Sequence, residues 1–245
     1  MDALSESLSI VLPAWNEETV IAGLVSELDR EVASRFEQAE IVVVDDASTD
    51  ATADRLAELS ERLTRLRVLR SPRNEGHGPS VLRALRAASG EWIFQLDSDG
   101  QFVVSDFWDL WRAREQADMI LGMRVDRQDP SHRLALSRAV SAVVSLLAGR
   151  RLRDPNVPFR LFRRGVWEDL RGLVGERALA PSILLATGAA VHGWRVAEVP
   201  VTHLARAQGT SSLRAGRLVR FSARGLAELL RFRVELARAP RRSAP

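Results

Sequence analysis

The feature that most constrains the fold is an alternation, over the first hundred residues, between short apolar runs and longer segments with helical spacing. The apolar runs contain many β-branched residues, which is typical of buried strands. Strands that alternate with helices in this way indicate a parallel sheet covered by helices on both faces. The predicted strands are Leu8–Leu12, Glu40–Val44, Leu66–Leu69 and Trp92–Leu96, and the predicted helices are Glu17–Phe36, Thr52–Leu63 and Gly78–Ala88.

Polar and acidic residues come just after three of these strands. In a parallel sheet the carboxyl ends of the strands lie along one edge, and ligands bind in the crevice outside that edge. We therefore expect a ligand site there. The residues concerned are Asn16, Glu17, Asp45, Asp46, Asp97 and Asp99.

The second half of the chain is less regular but contains no repeat and no low-complexity linker. We predict one globular unit, with a core domain over residues 1–212 and a C-terminal helix and tail over 213–245. Pro200 cannot donate a ladder hydrogen bond, which favours an edge position for the last strand. The predicted helices are Ser137–Leu147, Val166–Leu173 and Ile183–Ala190, and the predicted strands are Val157–Phe162 and Val196–Val201.

The segment DSDGQ at residues 97–101 places two carboxylates one residue apart in a loop after a strand. A hard divalent cation usually takes one or two carboxylates together with phosphate oxygens and water. Asp, Ser and Gly are also common in turns, so this segment alone fits an acidic turn as well. A second acidic segment, VVVDDASTD at residues 42–50, ends a neighbouring strand and favours the metal interpretation. There, Ser48 or Thr49 is predicted to cap the following helix.

Five segments occur in the order and spacing of the family 2 glycosyltransferases. The chain most resembles the group of dolichol-phosphate mannose synthases and polyprenyl-phosphate glycosyltransferases, over about residues 7–213. The resemblance implies a GT-A type α/β fold, a Mg²⁺ or Mn²⁺ cofactor, a nucleotide-diphosphate sugar donor and inversion at the anomeric carbon. The segments are LSIVLPAWNEE, EIVVVDDASTD, RNEGHGPSVLRAL, ASGEWIFQLDSDGQ and VPFRLFRR.

The resemblance assigns most of the polar edge to the donor. Trp15 matches an aromatic position of the nucleoside pocket, where a flat indole can pack on a base or ribose; a core position is the alternative. Asp45 matches an aspartate that accepts a hydrogen bond from the base. His77 faces either the sugar or solvent. The residues assigned to the donor are Pro13, Trp15, Glu17, Asp45, Asp46, Asn74, Gly76, Gly78, Asp97, Ser98 and Gln101.

The same resemblance implies the catalytic and metal-binding residues. Asp97 and Asp99 match the pair that binds metal and diphosphate, and Gln101 matches a further polar ligand just beyond them. Arg124 belongs to a G-x-R segment whose arginine approaches the donor phosphates. Asp97, Asp99 and Arg124 are therefore the expected catalytic residues, and Asp97, Asp99 and Gln101 are the expected metal ligands.

Four residues match positions that contact the acceptor phosphate. Arg133 and Ser137 are four apart at the start of a predicted helix, which puts them on one face. Arg206 and Ser211 belong to an H-x-x-R-x-x-G-x-S segment. Without the resemblance, Arg133 and Ser137 fit a solvated helix surface. The chain departs from the family at Val157-Pro158, where Ser-Gly or Cys-Gly is more common, and at Ser212, where Lys is often found.

The sequence lacks a general base at the position where hydroxyl-directed family members carry one, and this indicates the nature of the acceptor. Family members that glycosylate a hydroxyl commonly use the Asp of a Glu-Asp pair as the general base. The stretch ERALAPSIL at residues 176–184 has Ala180, Pro181 and Ser182 where that pair is expected. A phosphate monoester is already largely ionised at neutral pH and needs no base. This favours a polyprenyl or dolichyl phosphate as acceptor.

The C-terminal segment predicts an amphipathic helix. On a helical wheel, Leu218, Leu226, Leu229, Leu230, Phe232 and Leu236 oppose Arg217, Arg220, Arg224, Arg231 and Arg238. This pattern is typical of a helix at an anionic membrane surface, and also of a helix packed on the protein with a solvated basic face. The basic face lacks interleaved aromatic residues, so nucleic acid is not expected to bind.

These observations predict an inverting transferase that moves mannose or glucose from GDP-mannose or UDP-glucose to a polyprenyl phosphate. With neither a signal peptide nor a transmembrane segment recognisable, we expect a cytoplasmic protein, peripheral on the cytoplasmic face of the membrane. The alternatives are transfer to a hydroxyl of a glycan or small metabolite, and a nucleotide-sugar-binding module without catalysis. A nucleotidyltransferase is disfavoured because all 35 basic residues are arginine, and such enzymes need a lysine.

Overall fold

The computed structural model describes residues 3–125, 131–204 and 215–239, without the side chains of residues 131–133 and 215–222. The strands are β1 (Leu8–Ala14), β2 (Ala39–Asp45), β3 (Leu66–Arg70), β4 (Trp92–Leu96), β5 (Met119–Val125), β6 (Phe159–Arg163) and β7 (Val196–Thr202). They form one sheet in the order β3-β2-β1-β4-β6-β5-β7. All neighbours are parallel except β6, which is antiparallel to β4 and β5. The predicted mostly parallel sheet and the edge position of the last strand are confirmed.

The helices are α1 (Ile21–Glu31), α2 (Thr52–Ser60), α3 (His77–Ala87), α4 (Phe107–Ala113), α5 (Ser131–Ala148), α6 (Arg164–Leu170), α7 (Pro181–Val191) and α8 (Ala215–Arg238). The first helix is shorter than predicted. Residues 17–20 form a turn in which the carbonyl of Glu17 accepts hydrogen bonds from Val20 and Ile21. Beyond Val32 the chain tightens into a 3₁₀ turn, Ala33–Arg35.

Two elements near the middle of the chain, α4 and β5, were not predicted. The helix α4 has seven residues, which is too short for a clear apolar period, and Gly122 interrupts the apolar run of β5. Both are held by tertiary packing, since Phe107, Leu110 and Trp111 of α4 and Met119, Ile120 and Leu121 of β5 are buried.

The centre of the sheet is covered on both faces. All seven residues of β1 are buried, and successive side chains of a strand point to opposite faces. Burial of the whole strand therefore requires a layer on each side. The carboxyl ends of β1, β2 and β4 consequently open at one protected edge, where the predicted ligand residues lie.

The strand β6 runs against its neighbours and places a charged residue in the middle of the sheet. Arg160 pairs in register with Gln95 of β4 and Leu121 of β5, and its side chain is completely buried. The strand begins at Phe159 rather than at Val157 as predicted, because the amide of Val157 closes a turn on the carbonyl of Asp154.

The C-terminal helix α8 packs against α7. This packing corrects the prediction that all of its apolar residues form a single face with a single environment. Leu229, Phe232 and Leu236 are buried in the core, whereas Leu226 and Leu230 are exposed. The predicted apolar face is therefore divided between the protein interior and the surface. The side chains of Arg217, Leu218 and Arg220 lie outside the described part.

Candidate active site

The carboxyl ends of the three central strands are joined to one another by hydrogen bonds. The amide of Asp46 donates to the carbonyl of Ala14 (2.8 Å), which joins the end of β2 to the end of β1. The Ser98 hydroxyl donates to the carbonyl of Pro13 (2.7 Å), which joins the loop after β4 to the same strand. Ser98, predicted to bind the donor, thus holds the acidic loop in place.

Asp45 is buried and one of its oxygens lacks a hydrogen bond. Its Oδ1 accepts from the amide of Ser48 (3.0 Å), whereas no described group donates a hydrogen bond to Oδ2. The Nε of Arg70 lies 3.4 Å from Oδ2, but that side chain is mostly exposed. A buried acceptor without a donor is costly. Asp45 therefore has the unsatisfied capacity that a hydrogen bond from a nucleoside base would fill.

Asp46, the neighbouring residue, differs from Asp45 because both of its carboxylate oxygens accept hydrogen bonds. Its Oδ1 accepts from the amide of Glu75 (2.9 Å), and its Oδ2 accepts from the amide of Gly76 (2.8 Å). Gly76 has a positive φ of 95°, a conformation that favours glycine. Asp46 thereby fixes the loop that leads into α3, rather than presenting both of its oxygens to a ligand.

The loop after β1 presents an exposed indole. The side chain of Trp15 is 50% exposed, so the alternative of a core position is wrong. Next to it, Asn16 has a φ of 55° and its Oδ1 accepts from the amide of Thr49 (2.9 Å). The Glu17 amide donates to the Thr52 hydroxyl (2.8 Å). Hydrogen bonds to the β2 loop thus hold the backbone on which Trp15 stands.

The predicted capping of α2 by Ser48 or Thr49 is wrong. The helix begins at Thr52, and Asp50 Oδ1 accepts from both the amide (3.0 Å) and the hydroxyl (2.6 Å) of that residue. The hydroxyl of Ser48 instead accepts from the amide of Asn16 (3.0 Å). Local spacing could not show this, because the partner of Ser48 lies 32 residues away.

His77 links the two acidic turns. Its Nε2 lies 2.9 Å from Asp97 Oδ1, and the loop immediately before it is held by Asp46. Desolvation lowers the pKa of the His77 imidazole, but the Asp97 and Asp99 carboxylates together raise it above its usual value. The sequence left open whether His77 faces the sugar or solvent. In the structure its side chain is half exposed and contacts Asp97.

The residues present fit a divalent cation. Asp97 and Asp99 are half-buried in one short loop and offer hard carboxylate oxygens. Among the described residues no three His, Cys, Asp or Glu side chains are grouped to hold an ion by themselves. A cation that takes one or two carboxylates and completes its shell with phosphate and water needs no third side chain. The Gln101 amide nitrogen donates to the carbonyl of Leu204 (3.0 Å), which fixes this predicted ligand beside the loop.

Beside this loop lies a cavity of about 910 Å³, a size typical of small-molecule sites. It extends from Asp97 along α3 and under the start of α7. Predicted residues that line it are Asn74, Gly76, Gly78, Asp97 and Arg124; further lining residues are Arg73, Glu75, His77, Pro79, Arg83, Arg86, Asn156, Pro158, Glu176, Arg177, Leu179, Ala180, Pro181 and Ser182. The predicted residues that lie outside its lining are Pro13, Trp15, Glu17, Asp45 and Asp46, at the ends of β1 and β2, and Ser98, Asp99 and Gln101, after β4.

Gly78 lets α3 approach the cavity wall. A Cβ at this position would lie 1.9 Å from the carbonyl oxygen of Ala178, which is far inside van der Waals contact. We expect Gly78→Ala to displace α3 or the 176–180 loop and to weaken donor binding at least tenfold. The measurement is donor affinity by calorimetry.

The matched control is Gly23→Ala in α1, where a Cβ would meet nothing within 4 Å. Alanine favours a helix over glycine by about 1 kcal/mol, so this variant should keep the donor affinity of the unaltered protein and be at least as stable. Unchanged donor affinity in the Gly78→Ala protein would contradict the close approach.

Arg124 is held by a residue that sequence reasoning missed. Its Nε and Nη2 donate to Asp154 Oδ2 (2.7 Å) and Oδ1 (2.9 Å), and both side chains are largely buried. The sequence predicted that Arg124 contacts the donor phosphates. Asp154 therefore competes with those phosphates for the guanidinium of Arg124. Asp154 stands just before the recognised F-R-L segment, but nothing in the local sequence marks it as the partner of a residue 30 positions earlier.

Arg160 is a second arginine beside the cavity wall. Its guanidinium donates to the carbonyls of Ser182 (2.6 Å), Pro155 (3.2 Å) and Val157. Burial lowers the pKa of Arg160 to about 9, in spite of the negative charges of Asp154 and Asp97. The group remains charged at neutral pH. It adds positive charge behind the acidic loop and fixes the start of α7.

A smaller cavity of about 340 Å³ lies between β5 and α5. Ser137, predicted to contact the acceptor phosphate, lines it together with Arg138 and Arg153, and Arg124 lines both this cavity and the larger one. The other predicted acceptor contacts cannot be placed. The side chain of Arg133 and the whole of Arg206 and Ser211 lie outside the described residues.

Comparison with known proteins identifies the family. The profile of glycosyl transferase family 2 matches residues 9–170. An undecaprenyl-phosphate 4-deoxy-4-formamido-L-arabinose transferase of Pseudomonas aeruginosa strain LESB58 is 29% identical over 214 residues, which are 86% of this chain. The transferase of the same name from Edwardsiella ictaluri is 28% identical over 206 residues, 83% of this chain. The chain spans 62% of the length of each of these relatives.

Solved structures show the same fold. Glucosyl-3-phosphoglycerate synthase of Mycobacterium tuberculosis, in complex with Mn²⁺, UDP and phosphoglyceric acid, superposes with a TM-score of 0.69 at 21% identity, covering 93% of this chain and 78% of that one. The mannosyltransferase PcManGT of Pyrobaculum calidifontis, with GDP-Man and Mn²⁺, gives 0.63 at 19% identity, covering 98% and 66%. The GT-A fold is thus confirmed. Every helix in the described residues is too short or too polar to span a bilayer.

Proposed function

The chain belongs to glycosyl transferase family 2, and we propose that it transfers a sugar from a nucleotide-diphosphate donor to a polyprenyl phosphate with inversion at the anomeric carbon. The observation that carries the choice of acceptor is the wall of the large cavity at Ala180, Pro181 and Ser182. A hydroxyl-directed relative would carry its general base there, and these three residues offer no carboxylate.

The donor site would use both acidic turns. Asp45 offers its unsatisfied Oδ2 to the base, and Trp15 offers an exposed indole face. Asp97 and Asp99 would hold Mg²⁺ or Mn²⁺ against the diphosphate. A divalent cation bound there offsets the negative charge that develops on the leaving nucleoside diphosphate.

The acceptor phosphate attacks the anomeric carbon from the face opposite the leaving group. A new carbon–oxygen bond forms while the bond to the nucleoside diphosphate breaks, and the leaving group takes the electron pair. Because the attacking phosphate is already ionised, no protein group has to remove a proton. The protein contributes mainly by positioning the reactants and by electrostatic stabilisation.

Two carboxylates in the cavity other than Asp97 are placed poorly for a general base. Glu176 has a side chain that is 88% exposed and lies 3.9 Å from Arg86. Glu75 lies 3.9 Å from Arg73. This supports a nucleophile that arrives already ionised.

One observation favours a second candidate. Besides Arg124, four arginines line the cavity: Arg73, Arg83, Arg86 and Arg177. Their guanidinium groups match the charge of a small phosphorylated metabolite. The second candidate is therefore transfer to a hydroxyl of a soluble anionic acceptor.

A transfer assay separates these functions. Purified protein with Mn²⁺ is given GDP-mannose, UDP-glucose or a UDP-pentose, since the curated relatives are named for an arabinose derivative. The acceptors are a short prenyl phosphate, the matching prenyl alcohol and a phosphorylated hydroxy acid. We expect product only with the prenyl phosphate. Preference for either hydroxyl acceptor would overturn the proposal, and donor binding without transfer or hydrolysis would indicate a binding module.

The proposed lipid acceptor also indicates where in the cell the protein acts. A polyprenyl phosphate lies in a membrane, so the protein must reach the bilayer surface, and nucleotide-sugar donors are made in the cytoplasm. We infer a peripheral contact with the cytoplasmic face. Recovery of the activity in a salt-extractable membrane fraction would support this.

A further inference from the structure

We propose that the outward faces of α5 and α8 form one surface that docks on an anionic lipid bilayer. The inference rests on the proposed lipid acceptor for its purpose, but its evidence is separate from the active site. It starts from exposed apolar side chains, which a soluble protein rarely gathers in one place unless they meet a partner.

The apolar residues of α8 fall into two separate sectors of the helix, one buried and one exposed. At 100° per residue, the buried residues Leu229, Phe232 and Leu236 fall within an arc of about 60°. A second arc of about 100° carries only exposed apolar residues and faces away from the core. Its members in the described side chains are Ala223, Leu226, Ala227, Leu230, Val234 and Ala237. Leu226, Leu230 and Val234 are 43%, 48% and 51% exposed.

The helix α5 has a similar outward face. Its exposed apolar residues fall within an arc of about 100° on the wheel, and Leu146 is 81% exposed. No charged residue lies within that arc among the described side chains. The members are Ala135, Ala139, Ala142, Val143 and Leu146.

The two faces adjoin at a direct contact. Arg233 Nε of α8 donates to the carbonyl of Leu147 at the end of α5 (3.0 Å). On the wheels, Arg233 stands about 20° from Leu226, and Leu147 about 40° from Val143. The contact therefore lies beside both outward arcs, which places the two arcs next to each other at this end of α5.

Arginines border this surface and indicate what it meets. Arg224, Arg231 and Arg238 are exposed and follow the outward arc of α8 within about 60°. Arg138 is exposed and stands about 80° from Leu146 on α5. An apolar strip edged by arginine matches the interface of an anionic bilayer, where acyl chains lie below phosphate headgroups. A protein partner with a plain apolar face would not use the cations.

The surface also borders the smaller cavity. Leu134, Ser137, Arg138 and Ser141 line that cavity from α5, and Arg138 belongs to both. A lipid whose chain lies in the bilayer under α5 could place its phosphate in the cavity without leaving the membrane. Docking by this surface would therefore bring the acceptor phosphate to Arg124, which lines both cavities.

Flotation with lipid vesicles tests the proposal without nucleotide or acceptor. The full chain should float with vesicles of phosphatidylglycerol and phosphatidylcholine and remain behind with phosphatidylcholine alone. The double variant Leu146→Asp with Leu230→Asp should lose at least tenfold in binding. The triple variant Arg224→Gln, Arg231→Gln and Arg238→Gln should lose more, since each arginine near such a surface contributes about fivefold.

Control variants introduce the same residues, Asp or Gln, at other exposed positions. They are Ala57→Asp with Ser60→Asp on α2, and Arg55→Gln with Arg62→Gln and Arg67→Gln; both should float like the unaltered protein. The two test variants should keep turnover on a short soluble prenyl phosphate, which shows that they are folded.

Three results would overturn the proposal: no binding of the unaltered protein to anionic vesicles, equal loss in test and control variants, or a dimer in solution that Leu146→Asp with Leu230→Asp converts to a monomer. The last would assign the surface to a second copy of the chain. Vesicle binding without sugar transfer would refute only the proposed function, and transfer to a soluble acceptor without vesicle binding would refute only the surface.

Discussion

Asp99→Ala is expected to lower the rate of sugar transfer by about a hundredfold to a thousandfold, the range found when one electrostatic contact to a transition state is removed. Asp99 lies half-buried in the loop after β4, where its Oδ1 accepts from the amide of Gln101 (3.1 Å). Removing its carboxylate leaves Asp97 alone to hold a cation against the diphosphate. The measurement is turnover at saturating donor with Mn²⁺, together with the melting temperature.

Asp109→Ala is the matched control for that experiment. Asp109 lies in α4, its side chain is 45% exposed, and it pairs with Arg112 one helical turn away. Its loss should leave turnover unchanged, because an exposed ion pair contributes little. A folded Asp99→Ala protein with near-normal turnover would contradict the metal assignment of the DSDGQ segment.

Asp154→Asn is expected to lower the free energy of unfolding by about 3–5 kcal/mol, the usual result of breaking a buried ion pair on one side. The change removes the carboxylate that pairs with the guanidinium of Arg124, and it removes a negative charge that favours the buried Arg160 cation. For a chain of this size each kcal/mol corresponds to about 2–4 °C in melting temperature. We therefore expect a fall of about 6–20 °C, measured by calorimetry.

Glu168→Gln is the comparison for Asp154→Asn. The carboxylate of Glu168 pairs with Arg171 at 2.9 Å, but both side chains are exposed. Exposed pairs of this kind contribute about 0–1 kcal/mol, so the melting temperature should hardly change. Equal effects of the two substitutions would mean that the Arg124–Asp154 pair is not buried in solution.

The order of elements and the edge of the sheet that carries the site were readable from local pattern. The apolar runs that end at Asp45 and at Asp97 have the pattern of buried strands. That pattern depends only on residues that are close together in the sequence. The same holds for the edge position of β7, because Pro200 lacks an amide hydrogen. Resemblance to the family then supplied the roles of Trp15 and the two acidic turns.

Partners distant in sequence were not readable in this way. Two adjacent aspartates in one motif, Asp45 and Asp46, differ completely in their contacts, since one keeps an unsatisfied oxygen and the other holds the loop before α3. Arg124 looked available to phosphate, but Asp154 occupies its guanidinium. The apolar residues of α8 looked like one face, but packing on α7 divides them.

The sequence by itself therefore determined the fold class, the edge of the sheet at which the candidate site lies and the residue types gathered there. Only the tertiary structure decided which carboxylate meets which donor, which arginine is already paired, and which apolar side chains remain outside. The physical reason is range. Period, propensity and turn chemistry act over a few residues, whereas the hydrogen bonds and ion pairs that assign a role to each side chain join residues about thirty positions apart, as in Asp46–Gly76 and Arg124–Asp154.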